Sequence, residues 1–250
     1  MAGHSHWAGI KHKKALVDSK RSKHWSKLSK AIIVAAKLGG GDPAANIRLR
    51  TAILDAKAMS MPRENIERAI KKGTGELEGG NVEETLYEGY GPGGVAVMCD
   101  IMTDNRNRTA PEIRKIFDVH GGSLGGTGCV SYLFERKGLI IVAAAGNSEE
   151  AVMELALEHG ALDVLSEEGK FEIYTLPERF TEVTEAFESA NIAMEVKEIS
   201  RMASNTVDVD ADTAKTVLKL LDTLEDHDDV QSVSTNLNFA SKIVEELTSL

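Results

Sequence analysis

Cysteine is nearly absent from this 250-residue chain, with Cys99 and Cys129 the only two. Two thiols cannot build a disulfide framework, and they are too few for a cysteine-rich zinc site. Uninterrupted apolar runs of about 18 residues are also missing, so no membrane-spanning helix is expected. The opening MAGHSHWAGIKHKKA has no apolar stretch behind its charges, unlike a secretory signal. It also lacks the Arg- and Ser-rich amphipathic pattern of a mitochondrial presequence. Apolar residues make up 42% and charged residues 27%, near the globular average, which excludes disordered and fibrous classes. The expectation is a chain without membrane partners in a reducing compartment, most simply a bacterial cytoplasm.

Positive charge is in deficit overall, with 29 Lys+Arg against 39 Asp+Glu and a net charge of −10. The deficit is uneven. Residues 1–75 hold 16 Lys+Arg against 5 Asp+Glu, a surplus of +11, and the remaining 175 residues carry −21. Such asymmetry points to a polyanion-binding head, although basic helices are often just solvated surfaces. His4, His6, His12, His24, Trp7 and Trp25 share the segment, and cations interleaved with flat rings suit phosphate contact with base stacking.

Ala15 to Leu38 reads as a helix, because Trp25, Leu28, Ile32 and Ala36 recur at steps of three and four. Lys20, Lys23, Lys27 and Lys30 recur on the other face with the same rhythm. Gly39-Gly40-Gly41 ends it. Asp42-Pro43 opens a second helix to about Ser60, and Pro62 to Lys72 forms a third with Ile66, Ala69 and Ile70 inward. Residues 73–81 form a linker. Strands are then expected at Thr85–Tyr90 and Val95–Met102, a helix at Thr109–Val119 opened by a Thr109/Glu112 capping box, and a strand at Cys129–Phe134. From Gly138 to Ile199 the order strand-helix-strand, strand-helix-strand is the split βαβ arrangement of a ferredoxin-like domain. A helix (Ala211–Glu225), a strand (Val230–Asn236) and a tail helix (Ser241–Leu247) lack the apolar surface for a domain of their own.

The expected fold is therefore α+β and multidomain. It comprises a basic three-helix bundle (1–78), an α+β domain (79–136 plus 207–250), and a ferredoxin-like βαββαβ domain inserted into it (137–206).

Chemical motifs are sparse. Gly89-Tyr90-Gly91-Pro92-Gly93-Gly94 spells G-x-G-x-x-G, but a strand follows where a dinucleotide site needs a helix, so it reads as a hairpin turn. The glycine cluster 121–128 lacks the Lys-Ser/Thr of a P-loop and reads first as a long turn, second as backbone open to a polyanion. Arg106 and Arg108 either share one anionic partner or pair with carboxylates of the body. Asp226-His227-Asp228-Asp229 is an acidic turn that reads first as a solvated helix terminus and second as a site able to attract a cation. Ala2-Gly3-His4 offers square-planar copper donors if Met1 is removed. Cys99 and Cys129 read as small core residues in strands. No pattern of catalytic residues, cofactor or resident metal emerges, so no enzyme and no small-molecule substrate is expected.

The blocks GHSHWAGIKHKKA, KLGGGDPAAN, MPRENIERAIKKGTG, YEGYGPGGVA, TDNRNRT and LEDHDDVQSV resemble the signatures of the YebC family, from residue 3 to about 235. That family includes bacterial probable transcriptional regulatory proteins and the mitochondrial translational activator of cytochrome c oxidase subunit one. His6 stands where the family usually has Lys, Gly9 where Asn is usual, and Cys129 where Ser is common. The resemblance implies a three-domain, non-enzymatic regulator. Two mechanisms follow from it: binding of promoter DNA, or binding of ribosomal RNA on the ribosome to assist elongation through proline-rich sequences. A protein-interaction module without nucleic-acid affinity is the third possibility.

Lys11, Lys13, Lys14, Lys20, Lys23, Lys27 and Lys30 are the expected phosphate contacts, with Arg21 in support and Arg106 and Arg108 next in line. Trp7 and His12 are placed for stacking, and Trp25 in the bundle core. This ridge exists only if its ammonium groups are not held by carboxylates of the same molecule.

Overall fold

The computed structural model describes the backbone of residues 21–238 apart from residue 168, and side chains from residue 23 onward. In chain order the elements are α1 (Arg21–Gly39), α2 (Ile47–Ala58), α3 (Arg63–Thr74), β1 (Glu83–Tyr90), β2 (Ala96–Thr103), α4 (Arg106–Val119) and β3 (Ser123–Leu124). Then come β4 (Phe134–Ala143), α5 (Glu149–Glu158), β5 (Ala161–Glu167), β6 (Lys170–Thr175), α6 (Phe180–Ser189) and β7 (Met194–Ala203). The last are β8 (Val207–Asp208), α7 (Ala211–Glu225), β9 (Val230–Thr235) and β10 (Leu237–Asn238). The chain is thus a mixed α+β protein. Its described residues form two compact units, residues 21–130 with Asp212–Val233, and Ser131–Ala211 with residues 234–238.

In the larger unit, α1, α2 and α3 bury Ile32, Ile33, Val34, Leu49, Ile53 and Ile66 in one core, to which Val82 also belongs. Trp25 packs against that core half-buried, its indole N–H donating to Met59 O at 3.0 Å. Gly73 lets α3 approach α1, because a Cβ there would lie 2.5 Å from Ile33 O. β1 and β2 form an antiparallel hairpin around a turn at residues 91–95, within a sheet of order β3-β1-β2-β9. β9 and most of α7 return to this unit after the chain has passed through the other one.

The second helix starts later than Asp42-Pro43 suggests. Asp42 opens a separate turn, its carboxylate accepting from Ala44 N at 2.9 Å, and Asn46 caps α2 instead. Asn46 Oδ1 accepts from Leu49 N (3.0 Å), while its amide nitrogen donates to Ala35 O and Gly40 O (both 2.8 Å). One buried side chain therefore closes the end of α1 onto the start of α2. Asn46→Ala is expected to lower stability by about 2–3 kcal/mol, since it removes the cap and strips a donor from two carbonyls. A urea midpoint unchanged from the parent would contradict that role.

Three further expectations are corrected. Thr109 does not cap α4: Asn105 does, its side chain accepting from Arg108 N, and Thr109 lies buried inside the helix. The strand expected at Cys129–Phe134 begins only at Phe134, because residues 131–133 make a 3-10 turn. Cys129 lies in a loop and is partly exposed, whereas Cys99 is fully buried, and burial pushes both thiols up. The expected tail helix at 241–247, and residues 15–20 of the first helix, lie outside the described residues.

The smaller unit runs β4-α5-β5-β6-α6-β7, with strand order β5-β6-β4-β7 and every neighbouring pair antiparallel. Alternation along β4 sends Ile140 and Val142 into a cluster with Val152 of α5 and Val183 and Phe187 of α6. Leu139 and Ile141 join Tyr174, Val196 and Met202 in another. Residues 207–208 and 234–238 also belong here, because β8 and β10 pair in parallel and Val207 N donates to Asn236 O at 2.8 Å.

Candidate nucleic-acid interface

The expected lysine row meets carbonyl oxygens of its own unit. Lys23 Nζ donates to Asp226 O (3.2 Å), Lys27 Nζ to Glu225 O, and Lys30 Nζ to Asp228 O (3.0 Å). Three cations at helical spacing thus crown the C-terminal end of α7, where unpaired carbonyls and the negative end of the helix dipole gather. Lys30 also forms an ion pair with Asp229, whose side chain is 2% exposed.

Asp229 is the centre of this cluster. Its Oδ2 accepts from Arg108 (2.9 Å), Thr109 (2.6 Å) and Thr103 (3.1 Å), and Lys30 takes Oδ1. Its main-chain oxygen accepts from Met102 N at 2.9 Å, tying the turn to β2. Burial pushes the Asp229 carboxyl up, but hydrogen bonds from Lys30, Thr109 and Arg108 outweigh it and hold the group well below the ordinary aspartate range.

The acidic turn therefore attracts cations, as its composition suggests, and those cations are side chains of α1 and α4. Glu112, His227 and Asp229 bring potential metal ligands within 4.8 Å of one another. His227 Nδ1 and both Asp229 oxygens already accept from protein donors, and Glu112 Oε2 faces the His227 ring. Asp229 N–H donates to His227 Nδ1 (3.1 Å), which places the neutral ring's proton on Nε2, facing Glu112 Oε2 at 3.0 Å.

The remaining sequence candidates are placed as follows. Arg106 and Arg108 sit on the first turn of α4, which begins at Arg106 rather than at Thr109. Arg106 pairs with Glu83 (2.9 Å), and Arg108 pairs with Asp104 (3.1 Å) as well as Asp229. Lys11, His12, Lys13, Lys14 and Lys20 lie outside the described residues, as do Trp7, His4 and the side chain of Arg21. A shallow cavity of about 580 Å³ opens beside the cluster, bordered by Lys23, Lys30, Arg108, Lys115, Asp104 and Glu112. Among the described residues, exposed cations in no ion pair with any carboxylate of those residues include Lys57 on α2 and Arg68 and Lys71 on α3.

Sequence reasoning missed Asp229 as an anchor. The one available signal was a buried-type hydroxyl pair, Thr103 and Thr109, flanking the two arginines. It also missed Glu88, a buried carboxylate on β1 that accepts from Gly128 N (2.8 Å) and Val130 N (3.0 Å). Its main-chain oxygen accepts from Gly125 N at 2.7 Å, and Tyr90 OH donates to Cys129 O at 2.9 Å. The second glycine cluster is thus pinned along β1. Glu88→Ala should speed hydrogen exchange at Gly128 and Val130 by roughly 10- to 100-fold, the equivalent of about 1–3 kcal/mol of local protection. Unaltered exchange would show that the carboxylate does not hold the loop.

Comparison with known proteins covers nearly the whole chain. Residues 5–76 match the family described as the TACO1/YebC protein N-terminal domain, and residues 82–237 match the TACO1/YebC second and third domain. A probable transcriptional regulatory protein of Rhodopirellula baltica is 62% identical over 247 residues, covering 98% of this chain and all of the relative. One of the same description from Natranaerobius thermophilus is 55% identical, covering 98% of this chain and 99% of its own. The crystal structure of a conserved hypothetical protein from Aquifex aeolicus superposes with a TM-score of 0.83 at 55% identity, over 94% of this chain and 98% of that one.

Proposed function

The chain belongs to the TACO1/YebC family, and within it we propose that this protein is a non-enzymatic, cytoplasmic regulator of gene expression that binds nucleic acid through its basic N-terminal head. The names of its relatives support the regulatory part. The observation that carries the nucleic-acid part is the surplus of positive charge in the N-terminal sequence. Lys23, Lys27 and Lys30 are engaged with the end of α7, yet residues 1–21 add Lys11, Lys13, Lys14, Lys20 and Arg21 against the single acid Asp18. Lys57, Arg68 and Lys71 extend that surplus on α2 and α3. Lysine is a point charge without bidentate geometry, so these contacts position the protein on a backbone and read little sequence.

DNA is the first target in this reading. Ribosomal RNA is the second, with the protein acting as a ribosome-associated elongation factor. It is favoured by the −21 carried by residues 76–250, which repels any long duplex wrapped around the molecule. We also assign the β4-α5-β5-β6-α6-β7 unit to the ferredoxin-like class, inserted into an α+β domain that follows a helical first domain. The two family matches, meeting between residues 76 and 82, support the first of those boundaries.

Cross-linking in cells followed by sequencing of the bound nucleic acid tests the reading directly. Promoter fragments or ribosomal RNA should dominate the recovered material. Recovery no greater than from a strain carrying Gln at Lys11, Lys13, Lys14, Lys20 and Arg21 would leave only a protein-interaction role.

A further inference from the structure

Residues 138–169 of the smaller unit contain no lysine or arginine, while carrying Glu149, Glu150, Glu154, Glu158, Asp163, Glu167 and Glu168. Among the described residues, none of the first six is in an ion pair. Elsewhere in the unit carboxylates do find cations: Glu195 holds Lys170, Glu182 holds Arg179, and Glu188 holds Lys197. The difference is local.

The same stretch leaves large apolar side chains in water. Met153 and Leu157, one turn apart on α5, are 37% and 50% exposed, and Leu162, just past the α5–β5 turn, is 50% exposed. α5 buries Val152 and Ala156, so Met153 and Leu157 continue its apolar stripe beyond what its own sheet covers. β5 ends the strand order, and its outer edge pairs with no described strand. Neighbouring exposed apolar side chains rimmed by polar groups are a feature of interaction surfaces.

We propose that α5 and the start of β5 form a docking surface for a cationic amphipathic protein segment, one carrying lysine or arginine beside leucine-like side chains. Charge complementarity selects that occupant. A nucleic acid would meet only carboxylates here, and an acidic segment would be repelled. The apolar residues supply the contact area, and the carboxylate rim sets orientation and sign. This proposal stands whether or not the N-terminal head binds nucleic acid.

The test uses the full chain, labelled at methionine and leucine methyls, titrated with a synthetic Lys/Leu amphipathic peptide and with a Lys/Ser peptide of equal charge. Shifts should concentrate at Met153, Leu157 and Leu162, with the Lys/Ser peptide binding at least about tenfold more weakly. The Leu157→Ser, Leu162→Ser double variant keeps the net charge and replaces exposed side chains only, so it should fold and lose about tenfold in affinity for the Lys/Leu peptide. Equal affinity in that variant, or shifts spread over all acidic surfaces, would reduce the effect to general attraction by a −10 protein and overturn the proposal. Self-association abolished by the same variant would assign the face to a second copy. A ribosomal RNA fragment shifting the same methyls would assign it to nucleic acid. Either result overturns it as well.

Discussion

Asp229→Ala should destabilise the larger unit by about 3–5 kcal/mol, because it leaves the largely buried Lys30 ammonium without its carboxylate and strips the shared acceptor from Thr103, Thr109 and Arg108. The melting temperature of that unit should drop by roughly 10–20 °C. Asp229→Asn is the sharper variant. It keeps the volume and one carbonyl acceptor but removes the charge and turns a donor toward Lys30 or Arg108, so it should recover little of the loss. Lys30→Met tests the other side of the pair: a buried, partly uncompensated carboxylate remains, softened by Arg108 and two threonine hydroxyls, and the loss should be smaller. Melting that is indifferent to Asp229→Asn would show that the cluster is decorative.

The same carboxylate sets a pH dependence with a definite sign. Its native affinity for protons lies below that of the unfolded chain, so the unfolded state binds the proton first as pH falls. Its contribution is complete above the ordinary aspartate value, near pH 4, and is lost progressively as pH drops below it toward the lowered native value. Asp229→Asn should therefore flatten the acid limb of the stability profile in that range while leaving the neutral region parallel to the parent. An acid limb of unchanged steepness would mean that other carboxylates carry it.

How far these features were visible in the sequence depends on whether their cause is local. α7 was legible to the residue, since its leucine and valine spacing and its acidic first turn act within fifteen residues. The period of Lys23, Lys27 and Lys30 was equally legible, and it does place them together on α1. Their destination was not. Ammonium groups at steps of three and four look identical whether they face phosphate, water, or the carbonyls of Glu225, Asp226 and Asp228 about 200 positions away. Nor could spacing decide between Thr109 and Asn105 as the cap of α4, because a buried aspartate from residue 229 recruits the Thr109 hydroxyl. Asn46 outcompeted Asp42-Pro43 for a similar reason: its amide reaches back to Ala35 and Gly40, contacts that exist only once α1 and α2 have docked.

That reallocation changes what a charge-removal experiment on the head must look like. Glutamate at Lys20, Lys23, Lys27 and Lys30 together is the substitution that a purely external ridge would invite, with binding lost and the circular dichroism spectrum kept. With Lys30 joined to Asp229, the quadruple variant should instead lose stability before it can report on binding. The informative set is Lys11, Lys13, Lys14, Lys20 and Arg21 changed to glutamine, which keeps Lys23, Lys27 and Lys30 in place on the end of α7. If about five phosphates are engaged, log K against log salt should slope near −4.5 on duplex DNA or near −3.5 on single-stranded RNA in the parent protein. Between 50 and 200 mM salt that is a loss of roughly 500-fold or 100-fold. The five-glutamine variant should bind with a slope near zero and an unchanged melting temperature. Lys27→Gln should do the reverse, lowering the melting temperature while moving the slope by less than one unit. Should the slope survive in the five-glutamine variant, the phosphate contacts belong to Lys57, Arg68 and Lys71, and neutralising those three should then reduce it by about 2–3 units.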